Sequence, residues 1–274
     1  MDGKAKKTAG MALKYIILII LAILWVVPII TLVFTAVKSK GDFFSGMSLF
    51  QMPENIAWDN FTNAMTKGRL FQYMKNDLII CCLKVPLGIF VEAMAAFAIT
   101  RLTLKKPTAW FTFFLIGMML PMQVALVPIS IIYNKLNLTN TYFGLFYVYI
   151  GFGISNGILI MHGFFKGIPR DLDEAAMIDG ASMEGTFFRI IFPLLKPIII
   201  TSIVFTALSI WNDYILASTF LSVKEVKTLP LMTYSFLATR SADYAPMMAG
   251  LVLMMLPVLI LYMVGQKYII GGIV

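Results

Sequence analysis

Carboxylates are concentrated in one polar segment of this 274-residue chain, between two strongly apolar stretches. Asp171, Asp173 and Glu174 closely follow Pro169. This spacing predicts the first turn of a helix, because carboxylates are favoured at the positive end of the helix dipole. Residues 175–178 would give that helix a small apolar face suited to lying in a groove. The chemistry predicted for the segment is therefore docking to a partner through charge and shape.

Catalytic groups are scarce in the chain. It has no phosphate-binding G-x-x-x-x-G-K-[ST] loop and no H-E-x-x-H metal helix. His162 is the single histidine, which rules out most metal centres and most histidine-dependent catalysis, and we expect it to be structural. Cys81 and Cys82 are adjacent in an apolar run and are expected to be packing residues. We therefore predict a chain that is not an enzyme and holds no metal or cofactor of its own.

The composition indicates an integral membrane protein. Hydrophobic residues make up 59% of the chain, charged residues only 13%, and the mean hydropathy is +0.86. The formal net charge is +8, but the basic residues gather in short connections beside apolar runs, as membrane orientation requires. No basic module with interleaved aromatic residues accompanies them, so we predict no nucleic-acid partner.

Six apolar segments have about the length needed to cross a bilayer, roughly 20 residues each. We therefore predict an all-α membrane protein with a short N-terminal segment, 1–12, and one transmembrane domain, 13–274. No paired repeats and no broken helices are evident in the sequence, and the first span is expected to remain uncleaved. The predicted spans are about 13–37, 76–100, 109–134, 142–165, 197–221 and 246–266.

The distribution of Lys and Arg predicts the orientation of the spans. Four lysines precede or begin the first span, and Arg101, Lys105 and Lys106 lie between the second and third spans. The connection 136–141 has none. Because short cytoplasmic loops carry the excess of positive charge, both termini and the connection 166–196 are predicted to be cytoplasmic. The long connections, about 38–75 and 222–245, then face outward.

The connection 166–196, which we call the coupling segment, is predicted to contain two short helices. Gly180 permits the turn between them, Ser182 is a candidate N-cap for the second, and Pro193 closes it. An amphipathic helix resting on lipid is the alternative, but the anionic inner leaflet repels acidic residues. The candidate docking residues are Asp171, Glu174, Ala175, Ala176, Asp179, Gly180 and Pro193.

Two charged side chains fall inside the second predicted span. Lys84 and Glu92 are eight residues apart, about 12 Å along a helix, so we expect each to pair with another span rather than with the other. Asp213 in the fifth span is a possible partner for Lys84.

Uncharged polar groups within the spans suggest a solute pathway. The indole of Trp211 can pack on a sugar ring, and the amide of Asn212 can both donate and accept hydrogen bonds from a neutral polyol. Ordinary helix packing explains these two residues equally well. Gln123 and Asn156 carry the same two interpretations.

Several motifs resemble those of the membrane subunits of ABC importers. The most specific is Glu-Ala-Ala-Met-Ile-Asp-Gly at 174–180, followed by Ile190 and Pro193 at the spacing of that family's EAA loop. Further similar stretches are 95–101, 164–169, 211–214, 266–268, and Pro53 with Trp58, Asn60 and Phe61. The chain is most similar to the smaller permease of maltose-type and other oligosaccharide importers, although it stops at Val274, where such chains usually continue with a short tail.

The resemblance implies a type I importer permease fold, with 166–196 as a coupling loop docked to an ATPase. It implies a bacterial inner-membrane location and several partners: a second homologous permease, two ABC ATPase subunits that bind ATP and Mg²⁺, an extracytoplasmic sugar-binding protein, and membrane lipid. It also supports contact of Tyr234 and Phe236 with the sugar-binding protein, where a cap over the outer helix ends is the alternative. The alternative functions are import of another small polar solute such as a polyamine, ion-coupled secondary transport, and a non-transporting scaffold.

Overall fold

The computed structural model describes residues 2–237 and 242–273, and the side chains among them except 2–9, 43–44 and 267–273. Residues 238–241 of the predicted outer loop, the side chains of Lys267 and Tyr268, and Val274 therefore lie outside the description. Within it the chain is almost entirely helical, with an isolated bridge between Leu237 and Ala242. The α-helices are α1 Asp2–Ala36, α2 Lys40–Phe44, α3 Asp59–Thr66, α4 Leu70–Arg101, α5 Pro107–Met119, α6 Met122–Lys135, α7 Tyr142–Lys166, α8 Asp171–Ile178, α9 Met183–Thr186, α10 Phe192–Leu194, α11 Lys196–Trp211, α12 Ile215–Phe220 and α13 Tyr244–Ile273.

The long helices account for the apolar segments of the sequence. In the described part, four helical stretches are long and apolar enough to cross a membrane: Gly10–Ala36, Leu70–Arg101, Tyr142–Lys166 and Tyr244–Gln266. Two bent helix pairs raise the number to six if each pair forms one span. The predicted all-α membrane architecture is confirmed.

The third predicted span is broken, which corrects the expectation of unbroken helices. The axes of α5 and α6 make an angle of 91°. Leu120 and Pro121 between them have extended backbone, with ψ values of 125° and 122°. Proline disfavours helical backbone in the residue before it and has no N–H to donate, so the chain turns here.

The second bent pair lies at the start of the fifth predicted span, 197–221, where Met183–Leu194 and Lys196–Trp211 make an angle of 71°. This predicted span is interrupted again near its middle. Helix α11 ends at Trp211, and α12 begins only at Ile215. The carboxylate of Asp213 accepts hydrogen bonds from the backbone N–H groups of Leu216 (3.3 Å) and Ala217 (2.9 Å). A carboxylate that satisfies the first amides of a new helix favours a break immediately before it.

The chain divides into two compact units, which we describe separately. The first comprises 1–70 and 232–256. Its small core brings together Ala36, Ala64 and Ala249. The Asn60 amide donates to the carbonyls of Ala36 (2.9 Å) and Lys38 (2.8 Å), which fixes α3 against the end of α1. No residue in the apolar window of α1 is buried, so this helix offers its surface to lipid or to another subunit.

The second unit comprises 71–231 and 257–274 and contains α4 to α12. Aromatic rings join the C-terminal end of α4 to the coupling segment and to α7, since the ring centroid of Phe97 lies 4.9 Å from that of Phe187 and 6.1 Å from that of Phe165. At the other end of α4, Asn76 donates to the carbonyls of Glu225 (2.9 Å) and Lys227 (2.8 Å). Helix α4 is therefore fixed to a connecting segment at each end.

Candidate functional site

The coupling segment folds as two short helices joined by a glycine turn, as predicted. Helix α8 carries its three carboxylates in the first turn. Gly180 has φ of 78°, a backbone conformation that glycine adopts at little cost. The Ser182 hydroxyl accepts a hydrogen bond from the N–H of Gly185 at 3.1 Å and so caps α9. After a π-helical turn, Phe187–Ile191, the helical run ends at Leu194, one residue beyond Pro193.

One face of α8, which we call the exposed stripe, is accessible to solvent. Asp171, Glu174, Ala175 and Ile178 recur at helical spacing and are all exposed, with Ile178 86% exposed. Ala176 was expected on the docking face, but it lies on the opposite side of the helix and is only 4% exposed. Ala176 therefore packs against the interior of the protein rather than facing a partner. The other candidate docking residues, Asp179, Gly180 and Pro193, are exposed.

A pair of arginines fastens the coupling segment to the end of α4. The Nε of Arg101 lies 3.0 Å from Oδ2 of Asp173, and both side chains are almost completely buried. The Arg101 guanidinium also donates to the carbonyl of Ile168 at 2.7 Å, and Arg170 donates to the carbonyl of Thr100 at 3.1 Å. We call the Arg101–Asp173 pair with its two flanking hydrogen bonds the clasp.

The clasp gives α8 a fixed position relative to α4. A buried ion pair costs desolvation energy, which further hydrogen bonds offset. The Arg101 Nε and the Asp173 Oδ1 make no hydrogen bond within the described chain, so that compensation comes from the flanking bonds to backbone carbonyls. Here it joins residues 72 positions apart in the sequence. The charge distribution had identified Arg101 only as a topology signal, and nothing in the sequence pairs it with Asp173 rather than with its acidic neighbours.

A polar cavity of about 300 Å³ lies farther along α4. It is bounded by α4, α6, α7 and α11 and by the break before α12. Its polar lining among the described residues consists of Lys84, Glu92, Tyr149, Asn156, Ser202, Thr206, Ser209 and Asp213. Hydroxyl, amide and charged groups together in an apolar setting indicate a place where a polar solute is tolerated.

Lys84 and Glu92 pair with each other, which corrects the expectation that they are too far apart. The Nζ of Lys84 lies 3.6 Å from Oε1 of Glu92, and the residues are 4% and 3% exposed. The estimate of helical rise measured only backbone separation. The two long side chains extend toward each other past Gly88, where a Cβ would lie 3.2 Å from the Lys84 Nζ.

Glycines of α7 make room for this ion pair. A Cβ on Gly153 would lie 3.2 Å from the Lys84 Nζ, and a Cβ on Gly157 would overlap the Glu92 carboxyl group. These glycines are four residues apart and so share a face of α7. They let the backbone of α7 approach the pair closely, as small residues do between membrane helices.

Asp213 pairs with Tyr149 and with backbone amides, and not with Lys84 as the sequence had suggested. Its Oδ2 accepts a hydrogen bond from the Tyr149 hydroxyl at 2.9 Å, in addition to those from the amides of α12. The carboxylate therefore holds together α7 and the interrupted fifth segment.

A family model for the inner membrane component of binding-protein-dependent transport systems matches residues 84–273. The chain belongs to this family. The probable starch degradation products transport system permease protein AmyC of Thermoanaerobacterium thermosulfurigenes is 33% identical over 256 residues, covering 93% of this chain and 92% of that protein. The multiple sugar-binding transport system permease protein MsmG of Streptococcus mutans is 32% identical over 263 residues, covering 94% of each.

Solved structures show the same fold. A chain of a bacterial ABC transporter involved in import of the acidic polysaccharide alginate matches with a TM-score of 0.82 at 21% identity, covering 98% of this chain and 99% of that chain. The alginate transporter in complex with a periplasmic protein carrying alginate pentasaccharide matches with a TM-score of 0.67 at 16% identity, covering 96% and 95%. The importer permease fold predicted from the coupling motif is confirmed.

Of the four residues predicted for the pathway of this permease, the structure brings one into the cavity. Asn156 lines it, whereas Trp211, Asn212 and Gln123 are absent from the lining that the described residues form. Trp211 is buried at the end of α11, and the Asn212 amide donates to the carbonyl of Leu208 at 2.8 Å. Gln123 is exposed near the start of α6.

The remaining candidates separate by burial. Tyr234 is 45% exposed, but Phe236 is only 5% exposed, so it belongs to the interior of the permease rather than to a contact surface. His162 stacks on Phe111 with ring centroids 3.8 Å apart. The sequence analysis did not identify Tyr149 or the hydroxyl residues of α11 as cavity residues. Their only signal in the sequence is that they are polar residues within apolar runs.

Proposed function

We propose that this permease is one transmembrane subunit of an ATP-driven oligosaccharide importer, forming half of the pathway and coupling it to a separate ATPase. The observation that carries the proposal is the continuity of α4, which contributes Lys84 and Glu92 to the polar cavity and Arg101 to the clasp. Nine residues, or about 14 Å of helix, separate Glu92 from Arg101. Movement of α8 would therefore reach the cavity through one rigid element.

The chemistry of the cavity favours a sugar over a polyamine. Of the two carboxylates that line it, Glu92 is neutralised by Lys84, and Asp213 accepts hydrogen bonds from neutral donors, Tyr149 among them. A polyamine would require several carboxylates without a counter-charge, and the described lining offers one, whereas its hydroxyl and amide groups suit a neutral polyol. Relatives named for import of starch degradation products and of melibiose, raffinose and stachyose support the same class of solute.

The proposed mechanism is alternating access in a larger assembly. A second homologous permease would enclose the pathway, and two ATPase subunits that bind ATP and Mg²⁺ would contact the exposed stripe of α8. ATP binding would move the coupling helices and open the cavity toward an extracytoplasmic sugar-binding protein, which the exposed Tyr234 would contact. Hydrolysis would reset the cavity inward, a shift between two populated states.

Substitution of Gly180 tests the coupling. Gly180→Asp places a side chain at φ of 78°, a backbone conformation that residues other than glycine rarely adopt, and adds a charge beside Asp179. We expect ATP-driven sugar uptake by the reconstituted complex to be lost while the protein remains inserted. Gly167→Asp is the matched control, since it adds the same charge in the coupling segment at φ of −80° and should transport normally. Normal uptake by Gly180→Asp would contradict the coupling role.

Labelling of single cysteines tests the proposed orientation. In a background with Cys81 and Cys82 replaced by Ser, a cysteine at Ser45 should react with an impermeant reagent added outside intact cells. Cysteines at Thr103 and Ser182 should react only after the cells are opened, because positive charge retains those connections in the cytoplasm. The reverse pattern would place the coupling segment outside and remove any cytoplasmic ATPase from its reach.

A further inference from the structure

A second cavity, of about 510 Å³, lies beside the clasp, where the ends of α4, α5 and α7 meet. Its lining includes Arg101, Lys166 and Arg170 and, among the described residues, no Asp or Glu. Asp173 neutralises Arg101 from outside this lining. Lys166 and Arg170 are exposed and have no carboxylate partner within the described chain. The cavity is therefore a concentration of positive charge beside the coupling segment, which the proposed topology places at the cytoplasmic surface of the membrane.

His162 supplies an independent indication of a ligand. It lines the cavity, is only 8% exposed, and packs its ring face on Phe111. Neither ring nitrogen has a hydrogen-bond partner among the described residues. The ring nitrogens are not among the completely buried unpaired atoms of the described chain, so they open into the cavity, where a group from outside the chain or water can bond them.

The start of α5 adds hydrogen-bond donors to the same cavity. Pro107 occupies the first turn of this 13-residue helix, no side chain caps it, and Thr108 lines the cavity with its hydroxyl group. A helix N-terminus favours an anion through its dipole and its free amides. At α5 the free donor is the Thr108 N–H, because Pro107 has no N–H and the amides of Ala109 and Trp110 donate to the Lys106 carbonyl. Cationic, hydroxyl and imidazole groups thus converge on one space.

We propose that this cavity binds a phosphate group, with Lys166 and Arg170 contributing charge and Thr108 and His162 contributing hydrogen bonds. Basic cavities between membrane helices at the surface bind the headgroups of anionic lipids, which are abundant there. Because Arg101 belongs both to the lining and to the clasp, an occupant would contact the element that positions the coupling helix. Free phosphate has the same chemistry and is the other possible source.

The test measures binding of two probes to the intact transporter complex in detergent. The complex is titrated by native mass spectrometry with phosphatidylglycerol, with phosphatidylcholine as the zwitterionic comparison, and separately with inorganic phosphate. Lys166→Gln should weaken binding about five-fold, which corresponds to about 1 kcal/mol for one basic residue near the surface. Lys105→Gln, which removes the same charge from an exposed position outside the lining, should leave it unchanged.

The two arms identify the source of the phosphate. Selective weakening of phosphatidylglycerol binding by Lys166→Gln supports the cavity with a lipid headgroup as occupant. Selective weakening of inorganic phosphate binding alone supports the cavity with free phosphate as occupant. If the two variants are indistinguishable with both probes, or if phosphatidylcholine binds the complex as well as phosphatidylglycerol and phosphate does not bind, the cavity is not a phosphate site.

Discussion

Arg101→Ala, at the end of α4, is expected to reduce ATP-driven uptake by the reconstituted transporter at least ten-fold. The change leaves Asp173 buried without its cation, and loss of one member of a buried ion pair costs about 3–5 kcal/mol. It also removes the hydrogen bond to the Ile168 carbonyl, so α8 loses its fixed position against α4. Uptake is measured per amount of inserted complex, which separates transport from yield.

The control for this prediction removes a charge from the same connection. Lys105→Ala is exposed and outside the clasp, so uptake should change by less than about two-fold, within the range of ordinary surface substitutions. Asp173→Asn is expected to resemble Arg101→Ala, because both disrupt one pair. Wild-type uptake by Arg101→Ala in an intact complex would show that the clasp does not transmit motion from α8 to α4.

The second large effect concerns the ion pair in the polar cavity. Glu92→Ala should lower the free energy of unfolding by about 3–5 kcal/mol, because Lys84 then remains buried without a counter-charge. Removing both charges, in Lys84→Met with Glu92→Leu, should recover most of that loss. Thermal unfolding of the purified complex measures the difference between the single and double variants.

Uptake by the double variant separates structure from function at this site. The contribution of the pair to the pathway predicts a stable double variant with impaired sugar uptake. A stable double variant with normal uptake would make the pair purely structural. A Glu92→Ala variant as stable as the double variant would contradict the pairing itself.

The sequence predicts those parts of the architecture that depend on local composition. Hydropathy located the four long apolar helices and the apolar regions of the two bent pairs, and turn and capping chemistry located Gly180 and the Ser182 cap, because these signals are local. Hydropathy does not show where a helix bends or stops within an apolar segment. It therefore missed the turn at Leu120–Pro121 and the interruption after Trp211, where a proline and the Asp213 carboxylate determine the backbone.

The candidate site was predictable only in part. The exposed residues of α8 recur at helical spacing, yet the sequence alone does not show which face of the helix is buried. Ala176 was therefore predicted on the docking face, whereas it lies on the buried face. The pairs Arg101–Asp173 and Lys84–Glu92 depend on side-chain reach and on where helices meet, which axial spacing does not capture. Among polar residues in apolar runs, only the packed helices distinguish Asn156, which lines the cavity, from Gln123, which does not.

The most direct test of the account is photo-crosslinking from the coupling helix to the ATPase. Benzoylphenylalanine in place of Ile178, the most exposed residue of α8, should form an adduct with the ATPase subunit in a complex that hydrolyses ATP. The same group in place of the exposed Phe143 should form none. Phe143 lies near the start of the 25-residue helix α7, about 35 Å along that helix from the end that leads into the coupling segment. Absence of an adduct from position 178, or an equal adduct from position 143, would contradict the assignment of α8 as the element that couples transport to ATP hydrolysis.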